Sequence, residues 1–375
     1  MNLLDTPVHD LGQRRRSLTQ SLHLDPPLLL ALLLLSGISL FVLYSASGQD
    51  IDLVWRQVVR LGVAFTVMFA LAQLNPAPLK RWTPWIFAGG LGLLVAVLVA
   101  GEIGKGAQRW LDLGLFRFQP SELMKLAMPM MVAWYLSDHP LPPSAKRLAM
   151  ASLIILVPTL LIARQPDLGT ALLVASAGLF VLLFAGIPWR LVTGLAALGA
   201  ALAPVLWYFM HDYQRQRVLT FLNPEQDPLG AGYHIIQSKI AIGSGGLYGK
   251  GWLNGTQSQL NFLPERSTDF IFAAYAEEFG LLGILVLLAI YLFIIMRGLL
   301  IAVQAQDTFT RLLAGSLVMT FFIYLFVNIG MVTGLLPVVG LPLPLVSYGG
   351  TSMVTLMAAF GILMSIHTHR KLLPR

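Results

Sequence analysis

The chain has 375 residues, of which 56% are apolar and only 11% charged, and its 25 Lys and Arg against 18 Asp and Glu give a net charge of +7. A soluble domain carries about 25% charged residues, so a cytosolic enzyme, a disordered chain and a free nucleic-acid binder are excluded. We therefore predict a polytopic membrane protein. Because cysteine is absent, disulfides, thiolate metal sites and a cysteine nucleophile are excluded as well.

Apolar runs of about 20 residues predict transmembrane helices, because lipid offers no partner to an unpaired backbone group. The predicted fold class is an all-α polytopic bundle of about ten such helices. In chain order the runs cover approximately residues 27–47, 56–74, 81–101, 123–137, 148–163, 170–187, 189–210, 270–296, 311–335 and 351–367. The first run follows Arg14, Arg15 and Arg16, as in a secretory signal, but it is too long for one, and we expect it to remain as the first span.

Ten spans place both termini on one side of the membrane. The short loops with Lys80 and Arg81, with Lys146 and Arg147, and the basic C-terminus HRKLLPR fall on that side, which the positive-inside rule makes cytoplasmic. The sequence thus predicts a single integral membrane domain, 1–375, with a cytoplasmic N-terminal segment 1–26 and a cytoplasmic tail 368–375. Residues 211–269 form a large extracytoplasmic loop between spans seven and eight, which we expect to be folded because loops of this length are seldom structureless.

Several ionisable residues lie at the outer ends of the predicted spans, where each is a functional hypothesis by default. Glu122 and Lys125 stand at i, i+3 and fit either an intrahelical ion pair or a site. Asp167 fits either a cap of the sixth span or the same cavity as Lys125. Arg109, next to Trp110, suits phosphate or sugar recognition, and the alternative is an interfacial anchor.

The densest group of charges lies where the long loop enters the eighth span, in the sequence LPERSTDF. Asp269 stands at the mouth of that span, where partial desolvation is expected to make it a better proton acceptor. The alternative is that Ser267 or Thr268 merely caps the helix. Glu277 and Glu278 follow about 12 Å deeper along the helix, and at least one is expected to face a cavity or to pair with a basic group.

Six motifs, in the expected order along the chain, resemble the shape, elongation, division and sporulation family of bacterial membrane glycosyltransferases, and within it the elongation branch. They are GAQRWLDLG (106–114), FQPSELMK (118–125), RQPDLGTAL (164–172), YHIIQSKIAIGSGGLYGKG (233–251), GTQSQLNFLPERSTDFIFAAYAEEFG (255–280) and LPVVGLPLPLVSYGG (336–350). One departure is Ser267, where this branch commonly has His.

The resemblance implies an inner-membrane peptidoglycan glycosyltransferase that polymerises lipid II, the undecaprenyl-diphosphate disaccharide-peptide, into β-1,4 glycan strands during cell elongation, with its active site facing the periplasm. It implies as partners a class B penicillin-binding protein of the penicillin-binding protein 2 type and other membrane proteins of the elongation machinery, and no nucleic acid. The alternatives are a lipid II flippase or transporter, and a non-catalytic scaffold.

The resemblance also implies roles for individual residues. Asp269 falls on the catalytic aspartate, the general base of an inverting transfer. The substrate-binding candidates are Arg109, Glu122, Lys125, Asp167, Lys239, Glu265, Arg266, Glu277 and Ser347. Because the sugar diphosphate already carries its leaving group, the reaction needs one base and cations for the developing charge. No cofactor is required by the pattern, and a divalent cation, Mg²⁺ or Mn²⁺, near Glu122, Asp167 or Glu277 stays open, because no spacing identifies a metal site.

Overall fold

The computed structural model describes residues 22–104, 107–112, 117–210, 212–227, 230–260 and 262–370. Most of the predicted N-terminal segment, including Arg14, Arg15 and Arg16, and residues 371–375 of the predicted tail lie outside the described residues.

Helices dominate the described residues, and each predicted span coincides with one of them. In chain order the helices are α1 (Pro26–Ala46), α2 (Ile51–Gln73), α3 (Pro76–Ala100), α4 (Pro120–Ser137), α5 (Ala145–Ala163), α6 (Leu168–Phe184), α7 (Trp189–Phe209), α8 (Asp212–Leu222), α9 (Ala231–Gly245), α10 (Thr256–Gln259), α11 (Ile271–Val303), α12 (Thr308–Val332) and α13 (Thr351–Thr368). The predicted fold class, an all-α polytopic membrane protein, is confirmed.

Length and apolar composition alone qualify seven of the described helices to cross a membrane, namely α1, α2, α3, α5, α11, α12 and α13. The sixth and seventh predicted spans correspond to α6 and to α7, in which shorter apolar stretches are found. The fourth corresponds to α4, which carries Glu122 and Lys125 in its first turns. Of these seven helices, α12 and α13 are the most enclosed by the rest of the bundle, each 67% buried along its apolar stretch.

Side-chain caps fix where several helices begin. Asp25 accepts from the backbone N–H of Leu28 at 3.0 Å at the start of α1, and Asp50 accepts from Leu53 N–H at 3.1 Å at the start of α2. Such caps satisfy backbone donors that the helix itself leaves unpaired. The sequence therefore specifies helix starts as well as apolar runs.

The segment between α3 and α4 contains a small antiparallel sheet that the sequence analysis did not predict. Its strands are β1 (Glu102–Gly104), β2 (Ala107–Asp112) and β3 (Arg117–Phe118), in the order β1-β2-β3. Leu111 pairs with Phe118 in the register of the second hairpin. The sheet brings Arg109, on β2, to the same side of the bundle as the start of α4.

The described part of the long loop, residues 212–260 with a gap at 228–229, folds into α8, a 3₁₀ turn (Pro224–Gln226), α9 and α10. Glycines of the loop and of α11 let backbone pack on backbone where the two meet. A Cβ atom at Gly280, whose φ is +62°, would stand 2.3 Å from the backbone nitrogen of Gly249, so a larger residue does not fit there. Lys250 N–H and Gly251 N–H donate to the carbonyls of Glu277 and Glu278 at 3.0 and 2.9 Å. The loop is therefore anchored directly on the helix that follows Asp269.

Candidate active site

Asp269 lies in a tight turn, residues 263–270, immediately before α11. The N–H groups of Thr268 and Phe270 both donate to the carbonyl of Glu265, at 3.0 and 3.2 Å, and Glu265 itself has a φ of +51°. The Asp269 side chain is half-buried. Its Oδ2 atom faces Gly340, since a Cβ atom built on that glycine would stand 3.6 Å away. The carboxylate therefore lies between a constrained turn and the segment 336–350.

Three consecutive carbonyl groups of this turn are held from outside it. Ser267 O accepts from Tyr348 N–H at 2.8 Å, Thr268 O accepts from the Ser347 hydroxyl, and Asp269 O accepts from Asn328 Nδ2 at 2.9 Å. Ser347 Oγ in turn accepts from Leu343 N–H at 2.8 Å. The backbone that carries Asp269 is thus fixed by 336–350 and by α12, and Ser347, predicted to bind substrate, has both its hydrogen-bonding roles filled within the protein.

A second polar cluster lies where β2, α4 and α6 meet. Lys125 Nζ is 2.7 Å from Glu122 Oε1, and both side chains are at least nine-tenths buried. Arg109 Nε lies 3.6 Å from Asp167 Oδ2, and its Nη2 donates to the carbonyl of Pro166 at 2.6 Å. Gln119 Nε2 donates to the same Asp167 oxygen at 3.2 Å. The structure therefore brings the first four substrate-binding candidates together as two neighbouring acid-base pairs.

The helix cap at Asp167 and the intrahelical ion pair of Glu122 with Lys125, both left open by the sequence, are present in the structure. Asp167 Oδ1 accepts from Thr170 N–H at 3.3 Å and caps α6, and Lys125 forms the intrahelical pair with Glu122. Lys125 Nζ also lies 5.1 Å from the ring centroid of Tyr324, on α12. A buried charge pair of this kind is compatible with a role in folding and with a role in substrate binding.

The segment 336–350 joins the two clusters. On one side it contacts the Asp269 turn, as described above. On the other it packs on the start of α6, where a Cβ atom at Gly169 would lie 2.6 Å from Val339 Cγ1 and 3.6 Å from Leu341 Cδ2. Asp167 and Asp269 are 102 residues apart in sequence. Segment 336–350 lies against the turn that carries Asp269 and against α6, the helix that Asp167 caps.

An apolar groove of about 530 Å³ opens between α2, α4 and α13. Its polar lining consists of Arg60, Arg117 and Glu122, together with Thr351 and Thr355. The Arg60 guanidinium also stacks over the ring of Tyr348, 4.2 Å from its centroid, so the groove borders the segment that holds Asp269. The sequence analysis missed Arg60, although a charge within the second apolar run was the signal that pointed to the other candidates.

Glu277 is completely buried beneath the long loop. Its carboxylate accepts from Lys250 Nζ at 2.7 Å, from Thr256 Oγ1 and Gln257 N–H at 3.0 Å, and from Ser258 N–H at 3.3 Å. The expectation that Glu277 or Glu278 pairs with a basic group is therefore confirmed. The geometry favours a structural anchor over a substrate ligand, because four protein donors surround this carboxylate.

Of the remaining candidates, Glu265 and Arg266 lie in the Asp269 turn and Lys239 lies on α9. Glu265 is exposed in the same turn, with Oε2 accepting from Thr268 Oγ1 at 2.6 Å. Arg266, also in the turn, donates to the Ser258 carbonyl. Lys239 is exposed on α9, and its ammonium lies against Gly334 at the end of α12.

A histidine that the sequence analysis did not single out also borders the turn. The ring of His234, on α9, stacks on Phe270 with centroids 5.5 Å apart. Burial lowers the pKa of this imidazole below its usual 6.5, although the charges of Glu265 and Asp227 oppose the shift. His234 therefore favours its neutral form next to the Asp269 turn.

Within the described residues, no three Asp, Glu or His side chains come together as a metal site. The three acids considered for a divalent cation each face a different basic residue, Lys125 for Glu122, Arg109 for Asp167 and Lys250 for Glu277. These residues do not fit a metal centre built by the protein.

The comparison with known families identifies the chain. The family model of FtsW, RodA and SpoVE, described as cell cycle protein, matches residues 26–372. The chain belongs to this family. It is 58% identical over 362 residues to the peptidoglycan glycosyltransferase MrdB of Escherichia coli strain K12, which covers 96% of this chain and 98% of that protein. It is 33% identical to the peptidoglycan glycosyltransferase RodA of Treponema pallidum, covering 92% and 98%.

Solved structures of the family have the same fold. A chain from a structure described as the structural coordination of polymerization and crosslinking by a peptidoglycan synthase complex aligns with a TM-score of 0.81 at 35% identity, covering 93% of this chain and 98% of that one. The rod shape determining protein RodA of Thermus thermophilus aligns with a TM-score of 0.70 at 30% identity, covering 92% and 98%. The chain is therefore a multi-pass membrane protein of this glycosyltransferase family.

Proposed function

We propose that this peptidoglycan glycosyltransferase joins lipid II molecules into β-1,4 glycan strands during cell elongation, with Asp269 as the general base. The observation that carries the proposal is the placement of the Asp269 carboxylate, half-buried and facing Gly340, on a turn whose three successive carbonyls are held by other segments. A base must be held firmly and must remain reachable, and this geometry provides both.

In the proposed reaction, the 4-hydroxyl oxygen of the acceptor sugar attacks the anomeric carbon of the donor. The new C–O bond forms as the bond from that carbon to the diphosphate breaks, and the hydroxyl proton passes to the Asp269 carboxylate. The diphosphate leaves with its electron pair and needs no acid. A single displacement inverts the anomeric centre, so an α-linked donor yields a β-linkage, as in the base-assisted inverting glycosidases.

The charge that develops on the diphosphate requires cationic groups nearby. Arg109 and Lys125 are our proposed clamps, and Arg60 and Arg117 join them because both line the groove together with Glu122. In this structure Arg109 is paired with Asp167, and Lys125 is paired with Glu122. We propose that the substrate phosphates compete with Asp167 and Glu122 for these cations, so that the pairs keep the basic groups oriented when no substrate is bound.

The lipid tail of the substrate fits the apolar groove between α2, α4 and α13. The groove is lined by side chains such as Val59, Val63 and Leu126 along its length and by Arg60 and Arg117 as basic groups. A polyisoprenyl diphosphate combines the same two properties, an apolar chain and an anionic head. This match supports a lipid-borne sugar donor over a soluble one.

We further propose that the active site faces the periplasm and that both termini are cytoplasmic, which follows from the basic short loops. In this arrangement 1–26 and 368–375 are cytoplasmic and 211–269 is periplasmic, within one membrane domain. A class B penicillin-binding protein is the proposed partner. The support for this partner is that a structure with the same fold belongs to a peptidoglycan synthase complex that coordinates polymerization and crosslinking.

The decisive experiment is polymerisation of lipid II by the purified protein with its partner, in the presence of moenomycin, which acts on a different glycosyltransferase fold. Asp269→Asn is expected to insert and fold normally and to yield no polymer. Asp52→Asn, which changes an exposed acid in the first turn of α2, is the matched control and should polymerise at the wild-type rate. Full activity of Asp269→Asn would refute the proposed mechanism. Lipid transfer across vesicles without polymer would favour a flippase.

A further inference from the structure

Asn328 is a fully buried polar residue on α12, and neither the motifs nor the proposed mechanism accounts for it. Its side-chain nitrogen donates to two backbone carbonyls at once, Asp269 O at 2.9 Å and Leu341 O at 2.7 Å. Both partners are acceptors only, so the side-chain N–H₂ group, which has two donors, is the end of the amide that must face them. One amide nitrogen therefore ties together two segments that are distant in sequence.

The two carbonyls belong to the two segments that meet at the proposed base. Asp269 O belongs to the residue that carries the base. Leu341 directly follows Gly340, which the Asp269 carboxylate faces. By binding both carbonyls, Asn328 ties the backbone of Asp269 to the segment that contains Gly340. We propose that Asn328 is a positioning residue for the glycosyl transfer, a role that rests on the proposed function of Asp269.

The other contacts to this turn do not replace Asn328. Tyr348 and Ser347 hold the carbonyls of Ser267 and Thr268, which precede the base. Asn328 alone, among the contacts described above, holds the carbonyl of Asp269 itself. An apolar side chain at this position would leave two buried carbonyls without this donor, and an aspartic acid of the same shape has at most one O–H donor for the two acceptors. Either change allows the base to shift relative to Gly340.

A shift of about 1 Å in a catalytic group costs on the order of 10²-fold in rate. Because the two hydrogen-bond acceptors of Asn328 are backbone carbonyls of residues outside the lining of the apolar groove, substrate binding should be preserved. The predicted signature is therefore a fall in kcat with KM for lipid II nearly unchanged. A residue that only stabilises the bundle would instead lower the amount of folded protein and leave kcat per folded molecule intact.

The test compares Asn328→Asp and Asn328→Ala with Ser316→Ala. Ser316 lies on the same helix, is equally buried, and donates to the Ala177 carbonyl at 2.7 Å, so its variant deletes an interhelical hydrogen bond at a distance from Asp269. We expect kcat per folded molecule to fall about 10²-fold in both Asn328 variants, with KM retained. Thermal unfolding should shift further than in Ser316→Ala, because the Asn328 variants disturb two buried hydrogen bonds and Ser316→Ala removes one. Ser316→Ala should keep the wild-type kcat.

Four results would overturn the inference: a kcat near the wild-type value in both Asn328 variants, an equal loss of kcat in Ser316→Ala, a raised KM with unchanged kcat, or a failure of both Asn328 variants to fold. Asp269→Asn is assayed in parallel. If that variant is active, the proposed function fails. If it is inactive while the Asn328 variants turn over normally, only the positioning role fails.

Discussion

Replacing Glu277 by Gln tests whether this acid holds the fold or binds the substrate. The variant keeps the shape of the side chain but loses its charge and turns one acceptor into a donor. If the amide oxygen stays on Lys250, Thr256 and Gln257, the amide nitrogen faces Ser258 N–H, where two donors meet at 3.3 Å. A hydrogen bond to a charged group contributes about 1.5–3 kcal/mol, and the contribution of Lys250 is discounted because that side chain is 28% exposed. We therefore expect a loss of about 2–4 kcal/mol in the free energy of unfolding.

The assay is thermal unfolding of the purified protein in detergent, together with kcat and KM for lipid II well below the unfolding temperature. Glu277→Gln should unfold at a lower temperature and should keep its KM and kcat while folded. Glu225→Gln makes the same chemical change at an exposed acid of the long loop and serves as the matched control, with no shift expected. Unchanged unfolding of Glu277→Gln, or a raised KM in the folded variant, would refute the anchoring role.

Two further predictions concern other charged and titratable groups of the site. Lys125→Ala should lower turnover more than expression. Adding Glu122→Gln to this variant should restore stability but not turnover, because the second change removes the buried charge that the first leaves unpaired. Normal specific activity in Lys125→Ala would mean that the pair has a structural role only. The lowered pKa of His234 means that the unfolded chain takes up a proton more readily than the folded one, so stability should fall as the pH drops below about 6.5. His234→Phe should show a smaller decrease in unfolding temperature between pH 7.5 and pH 5.5 than the wild type, and equal decreases would contradict this assignment.

The membrane-spanning part of the fold was predictable because its signal is local. Each apolar run contains all the information needed to form a helix in lipid, and caps such as Asp25 and Asp50 mark helix starts within a few residues. The sheet at 102–118 was not predicted, because its strands are short and their pairing depends on register rather than on composition. The packing of the long loop likewise depends on contacts between glycines and α11, which periodicity does not reveal.

The candidate site was predictable where an ionisable residue stood out from an apolar background. Arg109, Glu122, Lys125 and Asp167 share a cluster in the structure, and Asp269 lies at the mouth of α11 as expected. The sequence could not distinguish a ligand from an anchor, since that depends on the partners each side chain meets. Glu277 illustrates this limit of local reasoning, because its four donors all come from residues 250–258.

Neutral polar residues within the spans explain how an irregular segment is held beside the Asp269 turn. Residues 336–350 are not helical, and such backbone is tolerated at membrane depth only where protein satisfies its hydrogen bonds. Four fully buried side chains from four different helices donate to its carbonyls: Ser39 to Val346 at 2.8 Å, Gln57 to Ser347 at 3.2 Å, Tyr291 to Pro344 at 2.6 Å and Asn328 to Leu341 at 2.7 Å. Because this segment also holds the carbonyls before Asp269, polar groups that look unremarkable in the sequence fix the surroundings of the proposed base.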